Sequence, residues 1–113
     1  MAAFDRGDIV FLSLEPVVGR EMQGDRRYAL VLTSKEFNVL GDVLIAPITQ
    51  GGDYSRFAGF AVSLMNTGCK TQGVALVNKC RIMDLTARKA KKVDKAPQEV
   101  IDDALGRLMT LFE

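Results

Sequence analysis

Apolar residues gather in short runs along the chain, and glycine, proline, asparagine and aspartate separate these runs. Runs of this length that are rich in β-branched and aromatic residues predict strands when turn residues bound them. The pattern predicts five strands, at residues 9–14, 28–33, 43–49, 59–64 and 73–77. The segments 80–84 and 90–93 are candidates for two more.

Two details refine this pattern. Pro47 lies inside the third predicted strand, and because proline has no N–H, its nitrogen should face a sheet edge or a bulge. The cap-like residues at 33–34 predict one short helical turn over 33–38, ending near Gly41.

A helix is predicted at the C-terminal end of the sequence. Pro97 suits the first helical position, and the acidic residues that follow it favour the positive end of the helix dipole. Its predicted apolar face consists of Val100, Ile101, Ala104, Leu105, Leu108, Leu111 and Phe112. Five to seven short strands followed by one helix predict a mainly β fold, a small and strongly bent antiparallel barrel with a C-terminal α-helix.

The length of 113 residues predicts a single domain over residues 1–113. No apolar run approaches the ~20 residues of a membrane span, and the first residues lack the apolar region of a signal peptide, so a cytoplasmic protein is expected. Cys69 and Cys80 form no CxxC pair and are predicted to be free thiols. Because the chain has no histidine, a zinc site would lack its usual ligands, and no imidazole can act as general base.

Charge is unevenly distributed along the chain. The net charge is +1, but residues 79–95 hold seven basic and two acidic residues, which leaves the rest of the chain at −4. This asymmetry fits an anionic partner, and a solvated charged edge is the alternative interpretation.

Polar residues cluster where predicted strands begin or end. Each has an ordinary structural explanation when taken singly, such as a surface ion pair or a turn. Together they supply hydrogen-bond donors and aromatic stacking surface, which fits a bound polyanion such as RNA better than a small apolar ligand. The set comprises Arg20, Glu21, Gln23, Arg26 and Arg27 in the loop 15–27, Thr49 and Gln50, Arg56 between Tyr54 and Phe57, and Asn78 and Lys79.

Five features in a fixed order resemble a known family over nearly the whole chain. They are "RGDIV", "EPVVGREMQGDRRYALVLTSKEFN", "LIAPITQGGDYSRFAGFAVSL", "GVALVNKCRIMDLTAR" and the terminal helix. The sequence resembles the MazF/PemK toxins of bacterial toxin–antitoxin systems, most closely the ChpB and Kid branch. The resemblance implies an SH3-like barrel, a homodimer, and an antitoxin partner whose disordered tail covers the RNA groove.

The same resemblance implies a sequence-specific endoribonuclease that cuts single-stranded mRNA without a metal or another cofactor, and so inhibits translation and growth. The 2′-hydroxyl of RNA would attack the adjacent phosphate and leave 2′,3′-cyclic phosphate and 5′-hydroxyl ends. The protein then needs to position the nucleophile, move protons and stabilise the charged phosphorane.

The family pattern maps a catalytic arginine onto Arg27 and a catalytic threonine onto Thr49. Glu21 is the candidate for the base or for orienting Arg27. Tyr28 stands where the family has proline, and a one-residue slip would exchange Arg27 for Arg26, so Arg26 is a second candidate.

Residues expected to bind RNA lie around this pair and in the loops that flank it. They are Arg20, Gln23, Gln50, Arg56, Phe60, Gln72, Asn78 and Lys79. The Kid branch has a histidine in the first loop and an arginine and an aspartate after the fifth strand. This chain departs from that pattern with Arg20, Leu76 and Asn78. They argue against a Kid-type Arg/Asp mechanism and favour the Arg/Thr pair.

Two alternative functions fit the same fold. The first is a non-enzymatic toxin like the gyrase inhibitor CcdB, which acts through a Trp-containing C-terminus, whereas this chain has no tryptophan. The second is a catalytically inactive barrel that binds RNA or an antitoxin.

Overall fold

The computed structural model describes residues 3–13, 26–50 and 59–113, with backbone alone for Arg26. Within these ranges every predicted strand and both predicted helical segments are present, with ends that differ by a residue or two. The elements are β1 (Asp8–Ser13), β2 (Arg26–Val31), α1 (Lys35–Asn38), β3 (Val43–Thr49), β4 (Ala61–Ser63), β5 (Val74–Leu76), β6 (Arg81–Met83), β7 (Lys91–Lys95) and α2 (Gln98–Met109), with 3₁₀ turns at Val77–Lys79 and Thr110–Phe112.

The strands form one antiparallel sheet in the order β4-β5-β3-β2-β1-β7, and β6 also pairs with β3. On one side β3 pairs with β2. On its other side it pairs with β5 at Ile48 and Thr49 and with β6 over 43–45. Pro47 was expected at a sheet edge or a bulge. It lies at the gap between these two pairings of β3, where the chain passes from β5 to β6 through the 3₁₀ turn.

Both faces of the sheet are buried. Along β2, Ala29 and Val31 point to one face, whereas Leu30 and the following Leu32 point to the other. Full burial of one such leucine or valine stabilises the fold by about 1.5–3 kcal/mol. The first core contains Ile9, Leu30, Leu32, Ala46, Ile48, Val62, Leu64, Ala75, Val77 and, from α2, Val100, Ile101 and Ala104. The second contains Val10, Leu12, Ala29, Val31, Val43, Ile45, Met83 and Leu85.

The predicted apolar face of α2 is wrong in its last two residues. The helix ends at Met109, and Leu111 and Phe112 lie exposed in the 3₁₀ turn that follows. The Thr110 hydroxyl donates to the carbonyl of Arg107 at 2.6 Å, and such local bonding competes with helix continuation. The helical spacing that would place these two side chains on the core is therefore lost.

A carboxylate joins the two ends of the sheet. β4 and β7 lie at opposite ends of the strand order, and Asp94 in β7 accepts a 2.8 Å hydrogen bond from the N–H of Thr71, in the connection between β4 and β5. Burial alone would raise the pKa of Asp94, but bonds from the N–H groups of Thr71, Lys95 and Lys70 stabilise the ionised form and hold its pKa below the usual value.

Asp94→Asn is expected to lower the free energy of unfolding at pH 7 by about 1–2 kcal/mol, because a charged acceptor of backbone N–H groups is replaced by a neutral one. A depressed pKa in the folded state contributes stability above the ordinary value of 3.8, and this contribution is lost as the pH falls through the folded value. Urea unfolding at pH 7, 5 and 3 should show wild type and variant converging at acid pH.

Asp84→Asn is the matched control, since Asp84 accepts a 3.0 Å bond from the N–H of Ala87 within one local turn. It should cost less stability than Asp94→Asn. A stability difference between Asp94→Asn and wild type that is constant from pH 7 to pH 3 would contradict the prediction.

Gly73 permits a close approach of two backbone segments. Its φ is +124°, and a Cβ at this position would lie 2.5 Å from the carbonyl oxygen of Thr49. Gly73→Ala is therefore expected to lower stability by about 1–3 kcal/mol. Gly106→Ala, with open space around an exposed helix position, should raise stability by about 0.5–1 kcal/mol. Thermal unfolding of both variants tests the contrast, and a Gly73→Ala protein as stable as wild type would refute it.

Candidate active site

The register of β2 and β3 brings Arg27 and Thr49 together. These strands pair antiparallel with Tyr28 opposite Ile48, and the same register continued by one residue places Arg27 opposite Thr49. Directly opposed residues of an antiparallel pair lie on the same face, with Cβ atoms about 4.5–5.5 Å apart. The two residues predicted to act together are thus neighbours at one end of the sheet.

The pair belongs to a row that crosses the sheet. Arg27 is opposite Leu12 on β1, Thr49 is opposite Val74 on β5, and Val74 is opposite Ser63 on β4. Leu12 and Val74 are buried apolar residues, whereas Ser63 is exposed. The polar pair therefore sits between apolar neighbours that restrict its position.

The Arg27 side chain is half-buried, and its hydrogen-bonding capacity is incompletely used. Its Nε is buried and has no hydrogen-bond partner among the described residues. A buried N–H without an acceptor costs about 1–3 kcal/mol, and the guanidinium cannot shed its charge at physiological pH. An anionic ligand oxygen would satisfy both its hydrogen-bonding capacity and its charge.

The ring of Tyr28, at the position where the family that the sequence resembles has proline, packs against Phe11 with ring centroids 4.8 Å apart. This contact lies between β1 and β2, where Phe11 and Tyr28 are opposed. It supports the register that places Arg27 in the row with Thr49.

Gln50 and Gln72 tie the end of β3 to the connection before β5. The Gln50 amide donates to the carbonyl of Gln72 at 3.1 Å, and the Gln72 amide donates to the carbonyl of Cys69 at 3.0 Å. Both side chains were predicted to bind RNA, and both are exposed beside Thr49. The contacts fix where their amides can meet a ligand.

Asn78, Lys79 and Phe60 meet at the 3₁₀ turn after β5. Asn78 is half-buried, and its Oδ1 is buried without a hydrogen-bond partner among the described residues. Lys79 is exposed. The carbonyl of Phe60 accepts from the N–H of Val77 at 2.9 Å, and the Phe60 ring packs against the first core. Core packing thus explains the position of the Phe60 ring, whereas the Oδ1 of Asn78 is a hydrogen-bond acceptor that no described residue uses.

Several predicted site residues fall outside the described part of the chain. Arg20, Glu21, Gln23 and Arg56 belong to segments 14–25 and 51–58, and their roles stay predictions. Arg26 begins β2 opposite Ser13, and its side chain is not described.

Arg88 reaches this end of the sheet and was not singled out from the sequence. Its Nη1 donates to the carbonyl of Ser13 at 3.2 Å. Ser13 is the last residue of β1 and is opposed to Arg26. The excess of basic residues over 79–95 was the sequence signal that pointed to this region.

Cys69 and Cys80 are free, which confirms the prediction, and burial raises the pKa of the Cys80 thiol. Across residues 3–13, 26–50 and 59–113, no group of three or more Cys, Asp or Glu side chains is arranged to hold a metal ion. No helix in these ranges is long and apolar enough to cross a bilayer.

Comparison with known proteins identifies the family. Residues 5–112 match the family described as PemK-like, MazF-like toxin of type II toxin–antitoxin system. The chain is 50% identical over 110 residues to the endoribonuclease toxin ChpB of Escherichia coli strain K12, covering 97% of this chain and 95% of ChpB. It is 39% identical over 109 residues to the endoribonuclease PemK of Escherichia coli, covering 96% and 81%.

Solved structures agree with this match. MazF from Deinococcus radiodurans superposes with a TM-score of 0.79 at 34% identity, covering 97% of this chain and 96% of that one. A MazE–MazF structure from the same organism gives 0.78 at 33% identity, with the same coverage. The fold class and the resemblance inferred from the sequence are confirmed. The chain belongs to the family of PemK-like, MazF-like toxins of type II toxin–antitoxin systems.

Proposed function

We propose that this toxin is an endoribonuclease that cleaves single-stranded mRNA and thereby inhibits translation and growth. The observation that carries the proposal is the row position shared by Arg27 and Thr49, with the buried Nε of Arg27 lacking an acceptor. Two relatives that share at least 39% of their aligned residues with this chain are named endoribonucleases, which supports it.

The reaction needs no nucleophile from the protein. The ribose 2′-oxygen forms a bond to the adjacent phosphorus, the bond to the 5′-oxygen breaks, and a 2′,3′-cyclic phosphate and a 5′-hydroxyl result. One proton leaves the 2′-hydroxyl and one reaches the 5′-oxygen. Arg27 stabilises the negative charge on the phosphorane oxygens, and the Thr49 hydroxyl donates to one of them. Glu21 is the candidate to accept the first proton.

Leu76 bears on the choice of mechanism. It is buried and apolar at the position where the Kid branch has an arginine, so it supplies no charge to the phosphate. Arg27 is the one cation in the row of opposed residues that runs from Leu12 to Ser63. The proposal therefore assigns to Arg27 the stabilisation of the negative charge on the phosphate.

Specific recognition is assigned to polar groups beside this row and to others in the 3₁₀ turn beyond the far end of β5. Gln50 and Gln72 present amides at the end of β3, and the buried Oδ1 of Asn78 can accept from a base N–H. Arg20, Gln23, Arg56 and Lys79 complete the proposed RNA surface together with Phe60.

The proposal extends to the toxin's assembly and location. One domain over 1–113 acts as a homodimer in the cytoplasm, where its mRNA substrate is found, and a cognate antitoxin binds it. The family description and the MazE–MazF structures support the antitoxin partner. Light scattering at micromolar concentration tests the homodimer, and a monomer would refute that part.

Arg27→Ala and Thr49→Val should each lower kcat/KM for cleavage of a long single-stranded RNA in EDTA by roughly 10²–10³, the cost of losing one donor to a developing oxyanion. Arg26→Ala should cost less. Initial rates of cleavage measure all three variants.

Thr86→Val is the matched control, because Thr86 is exposed in the turn after β6 and the change removes the same hydroxyl. It should cleave like wild type. Intact RNA with the wild-type protein would refute the endoribonuclease, and full activity in both Arg27→Ala and Arg26→Ala would refute the proposed chemistry.

The product ends provide a separate test of the mechanism. Fragments should carry 5′-hydroxyl ends that a polynucleotide kinase labels without prior phosphatase treatment, because the 5′-oxygen is the leaving group. Sequencing these ends on a long RNA also gives the cleavage motif. Fragments with 5′-phosphates would exclude attack by the 2′-hydroxyl.

A further inference from the structure

A carboxylate holds the middle of the connection between β4 and β5, residues 64–73. One oxygen of Asp94 accepts the N–H of Thr71 at 2.8 Å, and the N–H of Lys70 and the hydroxyl of Thr71 also stabilise this carboxylate. Its other oxygen accepts the N–H of the adjacent Lys95 at 2.8 Å. Hydrogen bonds to an ionised carboxylate are roughly twice as strong as neutral ones. Asp94 is therefore a strong anchor for the backbone at 70–71.

The two residues that follow this anchor lie against the end of β3. The carbonyl of Gln72 accepts the side-chain amide of Gln50 at 3.1 Å. Gly73 packs so closely on Thr49 that a Cβ added to it would lie 2.5 Å from the Thr49 carbonyl oxygen. The segment 71–73 thus connects Asp94 on β7 to the strand end that carries the proposed catalytic threonine.

The side-chain amide of Gln72 keeps unused hydrogen-bonding capacity. An amide offers two N–H donors and a carbonyl oxygen. One N–H of Gln72 donates to the carbonyl of Cys69 at 3.0 Å, which leaves the second N–H and the oxygen for a ligand. Cys69 is buried in the first core, whereas Gln72 is exposed. The free edge of the amide is thus presented to solvent by a backbone that is held on its inner side.

The direction of this amide depends on the anchor at Asp94. The contact between Gln50 and Gln72 joins two exposed neutral groups, and such a bond competes with water. Gly73, with a φ of +124°, has the backbone freedom of a glycine. The charged contact at Thr71 is therefore the restraint that keeps the segment, and the Gln72 amide with it, in one orientation.

We propose that Asp94 is a positioning residue for base recognition: through Thr71 it holds the Gln72 amide where this amide meets a base beside the scissile phosphate. The inference rests on the proposed endoribonuclease function and on the recognition role given there to Gln72. Bases of single-stranded RNA are read by hydrogen bonds to their edges, and an amide discriminates among them only when its donor and acceptor point in fixed directions. Asp94 itself touches no RNA.

The same geometry separates base preference from the chemical step. The relative position of Arg27 and Thr49 is set by the pairing of β2 with β1 and β3, in which Asp94 takes no part. Loss of the Asp94 contact should therefore leave the phosphate chemistry in place. It should release only the recognition of the base that Gln72 meets.

The test measures base preference in cleavage. The substrates are an oligoribonucleotide that contains the mapped cleavage motif and a set in which one base of the motif is changed at a time. The preference at a position is the ratio of kcat/KM for the motif to kcat/KM for the changed RNA. The variants are Asp94→Asn, Gln72→Ala and the double change, assayed at a temperature at which circular dichroism shows each of them folded.

Asp94→Asn should lower the preference at one motif position by about 3- to 10-fold, the contribution of one hydrogen bond, and leave the other positions unchanged. Its KM for the motif RNA should rise while kcat changes little. Gln72→Ala should lose the preference at the same position. In the Gln72→Ala background, Asp94→Asn should then have no further effect on it, because residues that act through one contact are not additive.

Thr71→Val loosens the same contact from the other side. Thr71 is buried, and valine replaces its hydroxyl with a methyl group of the same shape while the backbone N–H stays. This variant should reduce the preference at the same position, by less than Asp94→Asn does. It tests the inference independently if Asp94→Asn does not fold.

Asp84→Asn is the matched control, since it makes the same chemical change at a carboxylate that bonds within its own turn. It should keep the wild-type preference at every position. A loss of preference in Asp84→Asn equal to that in Asp94→Asn would overturn the inference.

Three further outcomes would also overturn it. One is a folded Asp94→Asn or Thr71→Val protein with wild-type preference throughout. Another is a fall in kcat that is equal for all substrates and additive with Gln72→Ala, which would make Asp94 a structural residue alone. The third is an effect of Asp94→Asn at a position where Gln72→Ala has none. Each leaves the endoribonuclease standing, whereas a wild-type protein that cleaves no RNA removes the proposed function itself.

Discussion

The pairing of β2 with β3, with Tyr28 opposite Ile48, is the constraint on which both the fold and the site depend. A slip of one residue turns every side chain of a strand to the other face. Both faces of β2 are packed, so a slip would exchange the residues of the two cores and carry Arg27 to the other face from Thr49. Core packing therefore maintains the relative position of Arg27 and Thr49, the proposed catalytic pair.

The site retains polar groups that the fold does not satisfy. The Nε of Arg27 and the Oδ1 of Asn78 are buried without hydrogen-bond partners among the described residues. Elsewhere in the same ranges a buried polar residue such as Asn38 makes several bonds, to Thr33 and to the carbonyl of Phe4. Buried polar groups without hydrogen-bond partners occur most often at functional sites, where a ligand supplies the missing partner.

Local patterns predicted the strands well because each short apolar run lies between turn residues. They failed at Leu111 and Phe112, where continued helical spacing hid the change to a 3₁₀ turn. Local patterns do not report which strands pair with one another. The pairing of Arg27 with Thr49 in one site was predicted from the family resemblance. The bond from Arg88 to Ser13 joins residues 75 positions apart, and no periodicity in the sequence reports such a contact.

The bond between Asp94 and the N–H of Thr71 has a consequence for the position of Gln72. β4 and β7 lie at opposite ends of the strand order, and the Asp94 side chain anchors the β4–β5 connection to β7. Gln72, which directly follows Thr71, is therefore placed relative to both ends of the sheet, through Asp94 on β7 and through the Gln50 amide at the end of β3.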